Sequence, residues 1–112
     1  MAVLSILTVG NGRKAMAKYI MLVNWTEQGV QKVKESPKRL DIARGIAKKL
    51  GAELKDFYMT MGEYDMVAHL EAPDDTVAAK FALTLATSGA VRTKTLKAFT
   101  EADYRSIIGS LS

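Results

Sequence analysis

His69 is the only histidine of the chain, and it stands in Asp65-Met66-Val67-Ala68-His69-Leu70-Glu71. In an extended strand alternate side chains share a side, so Asp65, Val67, His69 and Glu71 fall together. An imidazole beside a carboxylate suits general-base work, because the carboxylate stabilises the imidazolium that forms when a proton is taken up. His69 and Glu71 could also reach one ion, but a third ligand must come from elsewhere, since Asp65 lies roughly 13 Å from His69 along a strand. Neither a metal nor a cofactor is therefore expected. A structural histidine, bonded to a neighbour or set in a dimer seam, accounts for the same residues. The sequence leaves open which side of the strand faces inward.

Tyr64 and Asp65 join His69 as candidate catalytic residues, because they follow Gly62 where the chain must turn. The glycine reads most simply as a backbone requirement for positive φ. Asp65 is suited to bonding turn amides, and the Tyr64 hydroxyl can serve a ligand or a subunit contact. The candidate ligand-binding wall is Tyr58, Thr60, Tyr64, Asp65, His69, Thr93 and Thr95; the last two share one face of their strand. Four methionines, Met21, Met59, Met61 and Met66, fall on the sheet as core filler or adaptable pocket wall. Trp25 stands at a packing boundary or walls a pocket.

Other chemistries lack their residues. The chain has no cysteine, which excludes disulfides, thiolate nucleophiles and Cys-based zinc sites. Gly10-Asn11-Gly12 lacks the Lys-Ser/Thr end of a phosphate loop, and no serine elbow supports a triad with His69.

The elements that carry these residues follow from periodicity and punctuation. Lys18 to Trp25 is apolar without alternation, which suggests a first strand buried on both faces. Thr26 can cap a short helix carrying Val30 and Val33. Ser36-Pro37 predicts a second helix start, with Ser36 as N-cap and proline in the first turn. Leu40, Ala43, Ile46, Ala47 and Leu50 continue that helix to a stop at Gly51. Glu53 to Met61 and Tyr64 to Glu71 predict a hairpin. A helix capped by Asp74, with Val77, Phe81 and Leu85 in a stripe, ends at Gly89. Val91 to Phe99 is the last strand, and Thr100 with Asp103 opens a short C-terminal helix.

The order β-α-β-β-α-β predicts a ferredoxin-like α+β fold: a four-stranded antiparallel sheet with helices on one face, plus the short C-terminal helix. Strands this apolar do not suit a face left in water. The simplest cover is a second copy of the same sheet, with Met66 and Leu70 on the self-associating side.

At 112 residues, 48% hydrophobic and 25% charged, the chain has the size and composition of one ordinary globular domain. No apolar run approaches the ~20 residues of a membrane span. Ala2 to Val9 lacks a preceding basic residue and a clear cleavage pattern, so a cytoplasmic rather than an exported protein is expected. Residues 1–15 read as an N-terminal extension or an added edge strand, and residues 16–112 as the domain. The net charge is +4, with the excess concentrated between residues 30 and 50 as a solvated helix face or an anion-binding patch. These basic residues lie on a helix, not on the sheet, and the aromatic signature of RNA-binding sheets is missing, which disfavours nucleic acid as a partner.

Several motifs in order resemble the GYD domain family: Tyr19-Ile20-Met21-Leu22, Trp25-Thr26-Glu27-Gln28-Gly29, Ser36-Pro37-Lys38-Arg39, Gly62-Glu63-Tyr64-Asp65, Glu71-Ala72-Pro73-Asp74-Asp75 and Val91-Arg92-Thr93-Lys94-Thr95-Leu96. The resemblance runs from about Met16 to Ile108. It implies a bacterial protein of the dimeric α+β barrel type, in which two ferredoxin-like sheets pack face to face, and it transfers no catalytic residue. Two functions follow as expectations. One is a small apolar ligand bound, or acted on without a cofactor, in a pocket of the oligomeric barrel. The other is a self-associating structural or regulatory module without chemistry.

Overall fold

The structure, a computed structural model, describes residues 15–112; the expectations for residues 1–14 lie outside the described residues. Strand β1 (Ala17–Trp25) leads into a short helix α1 (Glu27–Gln31), a 3-10 turn (Val33–Glu35) and helix α2 (Ser36–Lys49). Strands β2 (Glu53–Met59) and β3 (Met66–Ala72) form the hairpin. Helix α3 (Asp75–Thr87), strand β4 (Val91–Ala98) and helix α4 (Glu101–Gly109) complete the domain. The sheet order is β2-β3-β1-β4, antiparallel throughout. This is the expected ferredoxin-like α+β fold.

Local chemistry sets the helix ends. The Thr26 hydroxyl accepts from the Gly29 amide, Asp74 accepts from Val77, and Thr100 accepts from Asp103, each satisfying an N–H that the first helical turn leaves free. Gly51 and Gly89 stop α2 and α3 at φ 82° and 77°. Ser36 behaves otherwise than expected. It is the first residue of α2, and its hydroxyl accepts from the Trp25 indole N–H at 3.2 Å. The 3-10 turn feeds directly into α2, so no separate cap is needed there, and Ser36 instead ties the helix to the end of β1.

The two sheet faces are unlike. Tyr19, Met21 and Val23 of β1 and Met66, Ala68, Leu70 and Ala72 of β3 are buried beneath α2 and α3, with Phe81, Met21 and Leu70 the largest side chains fully enclosed. Ile20, Leu22, Val67 and His69 alternate with them and remain partly exposed on the other face. Among the described residues, the apolar run of β1 is therefore covered on one face only. Met66 and Leu70 belong to the helix-covered core, not to the open face. The β3 alternation is as expected, but the alanines of α2 and α3 pack against the even-numbered side.

A tight knot joins α1 to the start of β4. Thr26 donates its amide to the Ala90 carbonyl at 3.0 Å and its hydroxyl to the Gly89 carbonyl at 2.6 Å. A Cβ at Gly29 would stand 2.0 Å from the same Ala90 oxygen. Gly45, exposed within α2, has nothing within 4 Å of such a position. Gly29→Ala is therefore expected to destabilise by ~2 kcal/mol or more through backbone overlap, whereas Gly45→Ala stabilises by ~0.5–1 kcal/mol through helix propensity. Urea unfolding of the two variants reads the contrast.

Tyr19 anchors α3 to the sheet, because its hydroxyl donates to Asp75 at 2.5 Å and Lys97 of β4 donates to the same carboxylate oxygen at 3.0 Å. Burial, reinforced by Asp75, pushes the phenol up to about 12, and the Tyr19 hydrogen bond followed by that of Lys97 holds Asp75 below its usual range. Unfolded, Tyr19 titrates near 10, so the unfolded chain loses this proton first as pH rises. The stability Tyr19 contributes is complete below pH ~10 and is lost as pH climbs through the folded value. Melting temperatures between pH 9 and 12 are expected to fall less steeply in Tyr19→Phe than in wild type.

Candidate functional site

The open sheet face carries Tyr58, Tyr64 and His69 among the candidate residues. At its centre Leu22 pairs with Val67 and Ile20 with His69, with Leu96 on the opposite side of Ile20 and Tyr58 beside Val67. Leu96 and Tyr58 are largely exposed, at 51% and 64%. The result is an apolar strip across all four strands, bordered by polar groups.

One border is an ionic chain. Between Leu54 and Phe57 the register of β2 shifts, so that Lys55 and Asp56 together stand opposite His69. Such a bulge re-aims a side chain, and here it brings the Asp56 carboxylate to 3.7 Å from His69 Nδ1. Glu71 lies 3.8 Å from Nε2 on the other side and accepts from Lys18 Nζ at 2.7 Å. The Lys18 hydrogen bond holds Glu71 below the usual carboxylate range against the opposing effect of burial. Both His69 distances exceed a hydrogen bond. The geometry is a histidine between two carboxylates, ready to form ion pairs when protonated. Among the described residues no group of three or more His, Asp and Glu side chains is disposed to hold a metal ion.

The hairpin turn is built for shape. Gly62 has φ 124°, a conformation that costs other residues strain. Thr60 donates its amide to the Asp65 carbonyl at 2.8 Å and its hydroxyl to the Tyr64 carbonyl at 2.6 Å. Asp65 bonds twice to the end of β1: its Oδ2 accepts from the Trp25 amide at 3.0 Å, and its own amide donates to Asn24 Oδ1 and the Val23 carbonyl. It pins the hairpin to the end of β1. Tyr64 reaches across the sheet, where Lys94 Nζ lies 5.6 Å from its ring centre and 3.4 Å from its hydroxyl, a cation–π arrangement.

Of the expected wall residues, Tyr58, Tyr64 and His69 thus share the open face, and Asp65 and Thr60 are occupied within the turn. Thr93 and Thr95 do not join them. They pair with Val23 and Met21, so they lie on the helix side and border a shallow depression beneath Ala82, Leu83 and Ala86 of α3. Strand pairing decides this, and the alternation of β4 alone could not.

Spacing arguments missed a second concavity. Where α2 and α3 diverge over β1 and β3, an apolar cleft of about 330 Å³ opens, floored by Met21, Val23, Met66 and Ala68 and walled by Ala43 and Phe81. The buried methionines were its only signal in the sequence.

Comparison with known proteins agrees with the motifs. The GYD domain family model matches residues 19–108, and the chain belongs to that family. A protein of Thermus thermophilus, described as a glutamine synthetase and cystathionine beta-lyase binding protein, is 32% identical over 89 residues, covering 79% of this chain and 94% of the relative. No solved structure matches the chain.

The role assigned to Asp65 has a direct consequence. Asp65→Ala removes the acceptor of a partly buried amide and is expected to cost ~1–2 kcal/mol, while Asp65→Asn, which keeps a carbonyl acceptor, costs less. Tyr64→Phe is expected to leave stability within ~0.5 kcal/mol of wild type. Urea midpoints at constant m-value check all three.

Proposed function

We propose that this member of the GYD domain family is a non-catalytic protein-binding module that pairs with itself and docks onto a metabolic enzyme. The observation that carries the reading is the open sheet face. It presents Ile20, Leu22, Val67, Leu96 and Tyr58 without helical cover. A contiguous exposed apolar surface rimmed by polar groups is the usual mark of an interaction site. Helix α4 is a separate exposed apolar surface: no residue of that helix is buried, and Tyr104, Ile107 and Ile108 are about half exposed. The relative's description as a binding protein for two enzymes supports the same reading, and glutamine synthetase and cystathionine beta-lyase are the first partners to try. Catalysis finds less support, since Asp65 is spent on the backbone and His69 stands on an open surface.

A second reading is favoured by the clustering of Tyr58, Tyr64 and His69 around the apolar strip. Pairing two such faces would enclose these side chains in a barrel pocket suited to a small apolar ligand.

Native mass spectrometry and co-elution with each purified enzyme test the proposal. A dimer or larger species is expected, and Leu22→Glu, at the centre of the strip, is expected to yield monomer with an unchanged far-ultraviolet circular dichroism spectrum. A wild-type monomer overturns the pairing, and failure to retain either enzyme overturns the choice of partners. A reproducible small-molecule adduct on the wild-type oligomer, lost in Leu22→Glu, shifts the assignment to the barrel pocket.

A further inference from the structure

The cleft between α2 and α3 lies on the opposite side of the sheet from the surface just discussed, and nothing in the protein-binding reading uses it. Protein interiors seldom leave voids much larger than a water molecule. A dry apolar cavity of ~150 Å³ already takes up benzene, and this one is about 330 Å³.

Its polar rim is selective. The hydroxyls of Ser36, Thr84 and Ser88 border the cleft, and each is engaged locally: Ser36 by the Trp25 indole, Thr84 by the Lys80 carbonyl, and Ser88 by the Leu85 carbonyl and the Ala90 amide. Arg39 is the single charged residue of the lining. One of its terminal nitrogens donates to the Gly29 carbonyl at 3.2 Å, and the other stands 4.0 Å from the exposed Glu35 carboxylate. A guanidinium carries five N–H donors, and among the described residues the Gly29 carbonyl is its one hydrogen-bond acceptor. The Gly29 contact holds the group at the mouth of an apolar space. That is the arrangement of a carboxylate clamp above a hydrocarbon slot.

We propose that this cleft binds an amphiphilic monocarboxylate, with a medium-length hydrocarbon body against the partly exposed Leu40, Ile46 and Leu85 and its carboxylate on Arg39. The site stands or falls independently of protein binding on the other face.

Trp25 is the sole tryptophan, and its bond to Ser36 makes it a built-in reporter at the rim. Decanoate and 1-decanol are titrated separately into the full-length protein, following Trp25 emission and melting temperature below the concentration at which decanoate forms micelles. Saturable decanoate binding with a raised melting temperature is expected. Arg39→Met, which keeps the apolar stem, is expected to weaken decanoate about tenfold or more and to leave decanol unchanged. Ala43→Phe, which fills the cleft, is expected to abolish both. If Ala43→Phe does not fold, the decanoate-to-decanol ratio in Arg39→Met decides alone. No saturable response, or decanoate binding indifferent to Arg39→Met, overturns the proposal.

Discussion

A four-stranded antiparallel sheet has two faces, and two crossover helices on the same side can cover only one of them. Everything else in this domain follows from that constraint. The crossovers put α2 and α3 together over Met21, Met66 and Leu70, and that side becomes the core. The other side keeps aliphatic side chains at Ile20, Leu22 and Val67. In a freely solvated face, alternation would place polar residues at these positions. That apolar choice on both sides of β1 is what distinguishes a sheet built to meet something from one built to meet water.

The polar groups support this arrangement and do not compete with it. Asp65 spends its carboxylate on the Trp25 amide, which fixes the hairpin to the central strand and holds the strip of the open face in register. The Thr26 knot fixes the same end of that strand to β4 through Gly89 and Ala90. Lys18 and Glu71 pair across β1 and β3 at the other end. These contacts tie β1 to both of its neighbours. Such preorganisation lowers the cost of association, because little ordering remains to be done on contact.

The fold was legible because its signals are local. Thr26, Asp74, Thr100, Gly51 and Gly89 mark ends that depend on one side chain or one dihedral angle, and the intervening spacings are long enough to separate helix from strand. The site was less legible because it depends on pairing. Thr93 and Thr95 share a face of β4 by simple alternation, yet which face is decided by their partners Val23 and Met21. Met66 and Leu70 were misplaced for the same reason: both faces of β3 are apolar, and alternation without a helix to break the symmetry cannot say which is inward. The bulge that carries Asp56 to His69 has no signature in Leu54-Lys55-Asp56-Phe57, since neither glycine nor proline marks it. Ser36 shows the reverse error. It has the right residue type for an N-cap, and a tertiary partner, the Trp25 indole, took its hydroxyl instead.

The cleft beneath the helices has a compositional cause. The inward positions of α2 that meet the sheet are Ala43 and Ala47, and Ala78 plays the same part in α3. Alanines let a helix approach a sheet closely, but they do not reach sideways. Phe81 is the one large residue of α3 that is fully buried, with Val77 and Leu85 partly buried against the core beside it. Ala43 also lines the cleft. The cleft is therefore a property of side-chain choice within a permissive fold. The two faces of β1 are consequently tuned by different residues of one strand, with Met21 and Val23 serving the cleft and Ile20 and Leu22 the open surface. A substitution on either side leaves the other set of side chains in place, and this separation allows the two surfaces to be tested one at a time.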